Sequence, residues 1–226
     1  ERNGHEHYGQ WRAVQKEFCE TVEKRFRPLQ PDLVTGIEGP NIAAQQVATF
    51  ALIHYGDFEV FRVTFPHFVN FIGTYSFELP KDTILGFARD AFLCGQPMMF
   101  FHSVAANLDE TTRAEIRDML LCKRQIDPLL YGLRCQGADG ITAPEGVRAF
   151  TFAGEKETVV TFVRESADAP RTVTLDPART GVDGAHSAHV LNPDGTPGEE
   201  LKLTPGASAL TLEMPNTRFG MVLIKQ

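Results

Sequence analysis

The spacing of apolar positions changes near the middle of the chain, and that change divides the sequence in two. Trp11, Val14, Phe18, Val22 and Phe26 recur at three- and four-residue intervals, which predicts an amphipathic helix over about residues 10–27. Pro28 and Pro31 end it, because the residue before a proline is pushed out of helical geometry. Leu33–Ile37 is a short, almost wholly apolar run, as expected of a strand covered on both faces. Pro40 suits the first turn of a following helix, to which Ile42, Val47, Phe50, Ala51 and Ile53 are assigned, stopping near Gly56. Phe58–Phe65 alternates as a strand, Pro66 breaks it, and Phe68–Ile72 is a short apolar segment ahead of Gly73. Lys81–Leu93 predicts a helix with Ile84, Leu85, Ala88 and Phe92 on one side. Gln96–Ser103 reads as a third buried strand. Thr111–Leu130 reads as a long helix, with Ile116, Leu120 and Ile126 inward and Arg113, Glu115 and Arg117 toward water.

From about Pro144 the helical period is gone. Short β-rich runs such as "GVRAFTFAG", "ETVVTFVRES", "SALTLEM" and "RFGMVLIKQ" follow, separated by turn clusters such as "NPDGTPGE". Several short strands with regular turn signals predict an all-β sandwich. The boundary falls in "ADGITAPEG", dividing the chain into residues 1–143 and 144–226. The first part alternates helix and strand, the pattern of parallel βα units. With about three visible strands against the eight of a complete (β/α)₈ barrel, it is expected to be the carboxyl-terminal part of one. A doubly wound sheet is the alternative. The barrel is preferred by analogy, because a β-domain directly after a long final helix is an order common in carbohydrate-active enzymes. The fold class expected is therefore α/β plus all-β.

Composition narrows the function. At 226 residues and a net charge of -7 the chain lacks the basic stripe of a nucleic-acid binder, and no apolar run reaches the roughly 20 residues of a membrane span. Cys19, Cys94, Cys122 and Cys135 are scattered with no C-x-x-C pair, so buried free thiols are expected rather than a metal site or a disulfide framework. The sequence opens at Glu1 with no Met, no signal peptide and no strand ahead of its first helix. A processed product, a fragment or a chain without its upstream part is the expectation.

Candidate chemistry gathers at predicted strand ends. Glu38 is the first polar side chain after the Leu33–Ile37 run. At the carboxyl end of a parallel strand it would stand where such folds place their active sites, and burial there would raise its pKa, as a general acid requires. Gly39 would let the backbone turn sharply. The competing reading makes Glu38 a cap on the next helix, its carboxylate at the positive end of the dipole. His102, after "MMFF", belongs at the same mouth, either in catalysis or as a supporting, hydrogen-bonded His. Arg62 lies amid large apolar groups, and a buried Arg needs a partner; an outward, solvated Arg is the plainer alternative. His67, after Phe65-Pro66, is placed as a sugar contact. His5, Glu6 and His7 lack the i, i+4 histidine spacing of a helical zinc site. They are read as part of a polar loop, with no metal and no cofactor expected.

The order of these pieces, a His/Gly-rich loop before "QW", then "PDLVTGIEGP", "VFRVTFPHFVNFIG", a buried strand, a long helix and a β-rich end, resembles a mostly uncharacterised group of bacterial glycosidase-like barrel proteins. That group is distantly similar to α-N-acetylgalactosaminidase-type and α-galactosidase-type glycoside hydrolases. The resemblance spans most of residues 3–226. It implies retaining hydrolysis of an oligosaccharide or glycoconjugate, with Glu38 at the acid/base position and His102, Arg62 and His67 binding substrate. It also implies an Asp nucleophile on the preceding strand, which these residues do not contain, so a missing amino-terminal segment or a second chain is expected to complete the barrel. A non-catalytic carbohydrate-binding or scaffold protein on a degenerate glycosidase fold is the alternative from another class. A lyase or isomerase on the same barrel is a third.

Overall fold

The computed structural model describes residues 4–38, 48, 50–53, 58–65, 68–74, 79–100, 104, 106–124, 126–185 and 187–225. Helix α1 (Gly4–Phe26) leads into strand β1 (Gly36–Glu38). Then come β2 (Phe50–Ile53), α2 (Phe58–Thr64), β3 (Val69–Thr74), α3 (Lys81–Leu93), β4 (Met98–Phe100), α4 (Glu110–Lys123) and α5 (Asp127–Gly132). Strands β1 to β4 form one parallel sheet in the unreversed order β1-β2-β3-β4.

Several elements differ from expectation, each for a local reason. Phe50–Ile53, assigned to a helix, is β2; a short apolar run cannot be told from a helix segment by period alone. Phe58–Thr64, expected as a strand, is helical. Phe58, Phe61, Arg62 and Phe65 fall at i, i+3, i+4 and i+7, and this stripe faces inward while Val60 and Val63 stay exposed. The loop expected around His5–His7 is the first part of α1. Among the described side chains of α1 it is Cys19 that is buried, whereas Val14, Phe18 and Phe26 remain 55%, 67% and 46% exposed. The long helix expected over 111–130 is split between α4 and α5, because Pro128 in the first turn of α5 cannot continue a hydrogen-bond ladder. The buried stripe of α4 is Thr112, Ile116, Met119 and Lys123. Leu120 therefore faces outward, and Glu115 faces inward between two arginines.

The rest of the chain builds two antiparallel sheets. Their strands are β5 (Arg134–Gly137), β6 (Ile141–Thr142), β7 (Val147–Ala153), β8 (Glu157–Arg164), β9 (Thr172–Leu175), β10 (Ser187–Leu191), β11 (Pro197–Leu201), β12 (Leu203–Pro205), β13 (Leu210–Glu213) and β14 (Phe219–Lys225). One sheet has the order β11-β10-β14-β8-β7-β5 and the other β12-β13-β9-β6. Antiparallel pairing thus starts at Arg134, ahead of residue 144 where the change of texture was placed. A short helix, α6 (Pro177–Thr180), capped by Asp176, follows β9.

Two apolar cores follow from this layering. Val160, Phe162, Val222 and Ile224 of the six-stranded sheet share one with Val173, Leu175, Leu210 and Leu212 of the four-stranded sheet. The opposite side of the six-stranded sheet, with Phe150, Phe152, Val159, Val163, Met221 and Leu223, packs with α3 and the parallel sheet in the other. Strand β8 is consequently buried from Thr158 to Arg164. That explains why its sequence is a near-continuous β-branched and aromatic run rather than an alternation.

The layers are fastened by specific contacts. The Phe92 and Phe219 rings meet edge to face at 5.5 Å, and the Thr161 hydroxyl donates to the Leu93 carbonyl at 2.8 Å. Glu115 accepts from Arg89 and from Arg218, each at 2.7 Å. Arg62 joins the ends of two helices: its Nε donates to the Cys94 carbonyl and its Nη2 to that of Leu130, each at 3.1 Å. Its guanidinium lies 5.4 Å from the Tyr131 ring centre and 5.6 Å from that of Phe152. Replacing Arg62 by Ala is expected to remove the bonds to both carbonyls, leaving that of Cys94 unpaired beside a cavity, and to cost about 3–5 kcal/mol in denaturant unfolding. Arg62→Met, which keeps the volume, should lose less. A variant Arg62→Ala with an unchanged unfolding midpoint would remove the anchoring role.

Candidate active site

Because all four strands of the parallel sheet run the same way, their carboxyl ends share one rim, where β1 ends at Glu38, β2 at Ile53, β3 at Thr74 and β4 at Phe100. The connection from α1 sets where β1 enters. Arg27, just past the helix end, pairs with Glu23 and donates to the carbonyls of Pro31 at 3.0 Å and Leu33 at 3.1 Å. Glu23 also accepts from the Thr35 hydroxyl at 2.8 Å. One arginine therefore folds the proline turn back on the helix and aims residues 36–38 along the sheet. The hydrogen bond from Arg27 is the main reason the Glu23 carboxyl is held below its usual range.

Register then places the rim residues. Glu38 stands level with Leu52, and Leu52 with Phe71. Side chains alternate along a strand, and Gly36 marks one side of β1. That side carries the Phe50 ring, which would lie only 2.2 Å from a Cβ on Gly36, so only glycine lets the ring lie over β1. Phe50 in turn meets the Phe71 ring edge-on at 5.4 Å. The other side of the sheet carries the buried Ile37, Ala51 and Ile72, and α3 packs on β3 there.

The Glu38 side chain, His67 and His102 lie outside the described residues. Arg62 does not, and it is not the substrate contact expected. It is fully buried, inside α2 rather than a strand. Its bonded donors are spent on the helix-end carbonyls, and Nη1 has no hydrogen-bond partner among the described residues. Burial holds its pKa below the usual range, yet an arginine remains charged. Among the described residues neither the carboxylate partner nor the solvated position considered from sequence is realised; carbonyl dipoles and aromatic faces take their place.

A polar cluster that pattern reading missed sits at the opposite, amino-terminal end of the sheet. Gln96, fully buried just ahead of β4, accepts from the Asn70 backbone N–H at 2.9 Å and donates to the Phe68 carbonyl at 3.3 Å. The Tyr131 hydroxyl also donates to it, at 3.4 Å. These bonds hold the starts of β3 and β4 in step. The visible signal was a glutamine directly before the apolar run "PMMFF".

No group of His, Cys, Asp and Glu able to hold a metal occurs among the described residues. The four cysteines are free thiols, with Cys19, Cys94 and Cys135 buried.

Comparison with solved structures shows the kind of fold. The chain is similar to a maltogenic α-amylase from Thermotoga neapolitana, at TM-score 0.58 and 10% identity over 93% of this chain and 59% of that one. It is also similar to an α-fucosidase from Thermotoga maritima, at TM-score 0.54 and 10% identity over 93% and 49% of the two chains. A GH27 β-L-arabinopyranosidase from Geobacillus stearothermophilus matches at TM-score 0.52 and 14% identity, over 93% and 54%. The fold is glycoside-hydrolase-like. The chain spans between 49% and 59% of the length of these glycoside hydrolases. No protein-family model matches the sequence, and no curated protein matches it.

The thiols yield a test with a definite sign. Burial pushes Cys122 and Cys135 each up to about 11 from 9.0, and Cys94 also well upward. A raised folded pKa leaves stability intact below the unfolded value and removes it as pH climbs through the folded one. Stability is therefore expected to hold to about pH 9 and to fall between pH 9 and about 11. Cys135 alone accounts for roughly 1–3 kcal/mol of that fall. Urea midpoints across that range under reductant, for the native chain and Cys135→Ala, measure it; an equally steep loss in both would acquit Cys135.

Proposed function

We propose that the chain is the acid/base-carrying part of a retaining glycoside hydrolase of the α-galactosidase and α-N-acetylgalactosaminidase type, acting on an oligosaccharide or glycoconjugate. The observation that carries the reading is the unreversed parallel sheet with Glu38 ending its first strand, in a fold shared with glycoside hydrolases. A doubly wound sheet reverses its strand order at a switch point and is covered by helices on both faces. Here the order runs straight, and Phe50 and Phe71 on the Gly36 side stay only half-buried, which favours a barrel segment with residues 1–143 in the barrel and 144–226 bracing it.

In this mechanism Glu38 protonates the leaving glycosidic oxygen and then takes a proton from the water that attacks the glycosyl-enzyme. His102 and His67 bind hydroxyls or steady the carboxylates; Arg62, buried among carbonyls, is left out. The nucleophilic Asp stands about 5 Å from Glu38 in such a pair and would come from a segment or second chain that completes the barrel. Two features support a completing segment. Among the described residues β1 pairs only with β2 and β4 only with β3, and unpaired edges invite further strands. In addition, α1 bares Val14, Phe18 and Phe26, an apolar stripe of the kind a neighbouring unit covers.

Two measurements test this. In the protein with its barrel complete, Glu38→Gln is expected to slow hydrolysis of glycosides with poor leaving groups by ~10²–10⁴-fold while sparing a dinitrophenyl glycoside far more. Equal, unimpaired turnover of both would strip Glu38 of its role, and calorimetric oligosaccharide binding without any hydrolysis would assign a non-catalytic carbohydrate-binding protein instead. The 226-residue chain alone should self-associate on a light-scattering column, less so as Phe18→Glu; a monodisperse monomer at high concentration argues against the incomplete barrel.

A further inference from the structure

Away from the rim, at the amino-terminal end of β4, a cavity of about 370 Å³ lies between Pro97 and Met98 and the last turns of α4. Its apolar wall is Pro97, Met98, Leu120 and Leu121, and its charged groups are Arg117, Lys123, Arg124 and Asp127. Lys123 closes α4, and its side chain is only 3% exposed. Burying an ammonium is costly unless it is paired. Asp127, one turn on, supplies the pair and accepts from one of the three N–H donors.

The electrostatics of the cavity select a sign. Among the lining residues three cations stand against one carboxylate. Arg117 leans on Asp118 at 3.3 Å across open surface, where such a pair is weak. The carboxyl end of α4 alone would repel an anion, but its charge is roughly half an electron; Asp127 matches Lys123, and the exposed Arg117 and Arg124 supply the excess positive charge. The volume is near the small end of ligand pockets, about 300–1,000 Å³.

We propose that this cavity binds a small organic anion, a carboxylate or phosphate ester on a short alkyl body, with its head at the exposed Arg124 and its body against Met98, Leu120 and Leu121. The alkyl part covers leucines that α4 otherwise leaves in water, and the head forms charge-assisted hydrogen bonds at the cavity's edge. The site lies at the opposite end of the parallel sheet from the strand-end rim.

Titration calorimetry of the chain with octanoate, octyl phosphate, n-octanol and inorganic phosphate tests it. Both amphiphilic anions should bind saturably, with n-octanol and inorganic phosphate each at least ~10-fold weaker. The stronger of octanoate and octyl phosphate then identifies the head group. Leu121→Glu and Arg124→Glu, at exposed positions, should each weaken binding ~10-fold or more without changing the circular dichroism spectrum. Binding of n-octanol as tight as octanoate, affinity unchanged in both surface variants, or no saturable binding of either anion would overturn the proposal.

Discussion

The convergence of two helix carboxyl ends on one guanidinium is the constraint around which the molecule is arranged. The last turns of helices present carbonyls with no intrahelical donor and a partial negative charge. Here Cys94 at the end of α3 and Leu130 near the end of α5 direct theirs to Arg62 of α2. The Phe152 ring of the six-stranded sheet lies against the same charge, so three helices and a strand from a different layer are fixed by a single side chain. Burial of that charge is tolerable because dipoles and aromatic faces replace water.

This anchor changes how the β-rich part is understood. An accessory domain would be joined by a polar, yielding interface. The six-stranded sheet is instead buried on both sides, with the parallel module against Phe150, Phe152 and Leu223, and the smaller sheet against Val160, Phe162 and Val222. The ionic fastening by Glu115 between Arg89 and Arg218 lies at the margin of this packing. Whatever the strand-end rim does, its geometry is held from below by a sheet that cannot be removed without exposing a core.

Period and punctuation revealed much of this. Lys81–Leu93 folds as its i, i+3, i+4 pattern predicts, and the β-rich runs after residue 144 are strands. Where local pattern supports two answers, tertiary contact decides. Phe58–Phe65 alternates and is also helical in period, and the inward pull on Phe58 and Arg62 selects the helix. Phe50–Ile53 has the length of a strand but follows a helical pattern, and pairing with β1 and β3 settles it. The apolar stripe of α1 was legible as a pattern but not as a burial, because what covers a helix face is not written in the helix. The rim was legible at Glu38, which does end a parallel strand. Arg62 was singled out for the right reason, a charge amid apolar groups, but backbone carbonyls as partners leave no mark in a sequence.

Strand β14 is the last strand in chain order, yet it lies inside the six-stranded sheet, hydrogen-bonded to β8 on one side and β10 on the other. Its neighbour Arg218 reaches back 103 positions to Glu115. During vectorial synthesis, then, β8 and β10 emerge with the slot between them vacant, and α3 and α4 wait for β14 before their shared core is sealed. Closure of such distant pairings is slow compared with helix formation. The nascent protein therefore passes through a period in which its largest apolar sheet is open down the middle, a state that invites capture by chaperones.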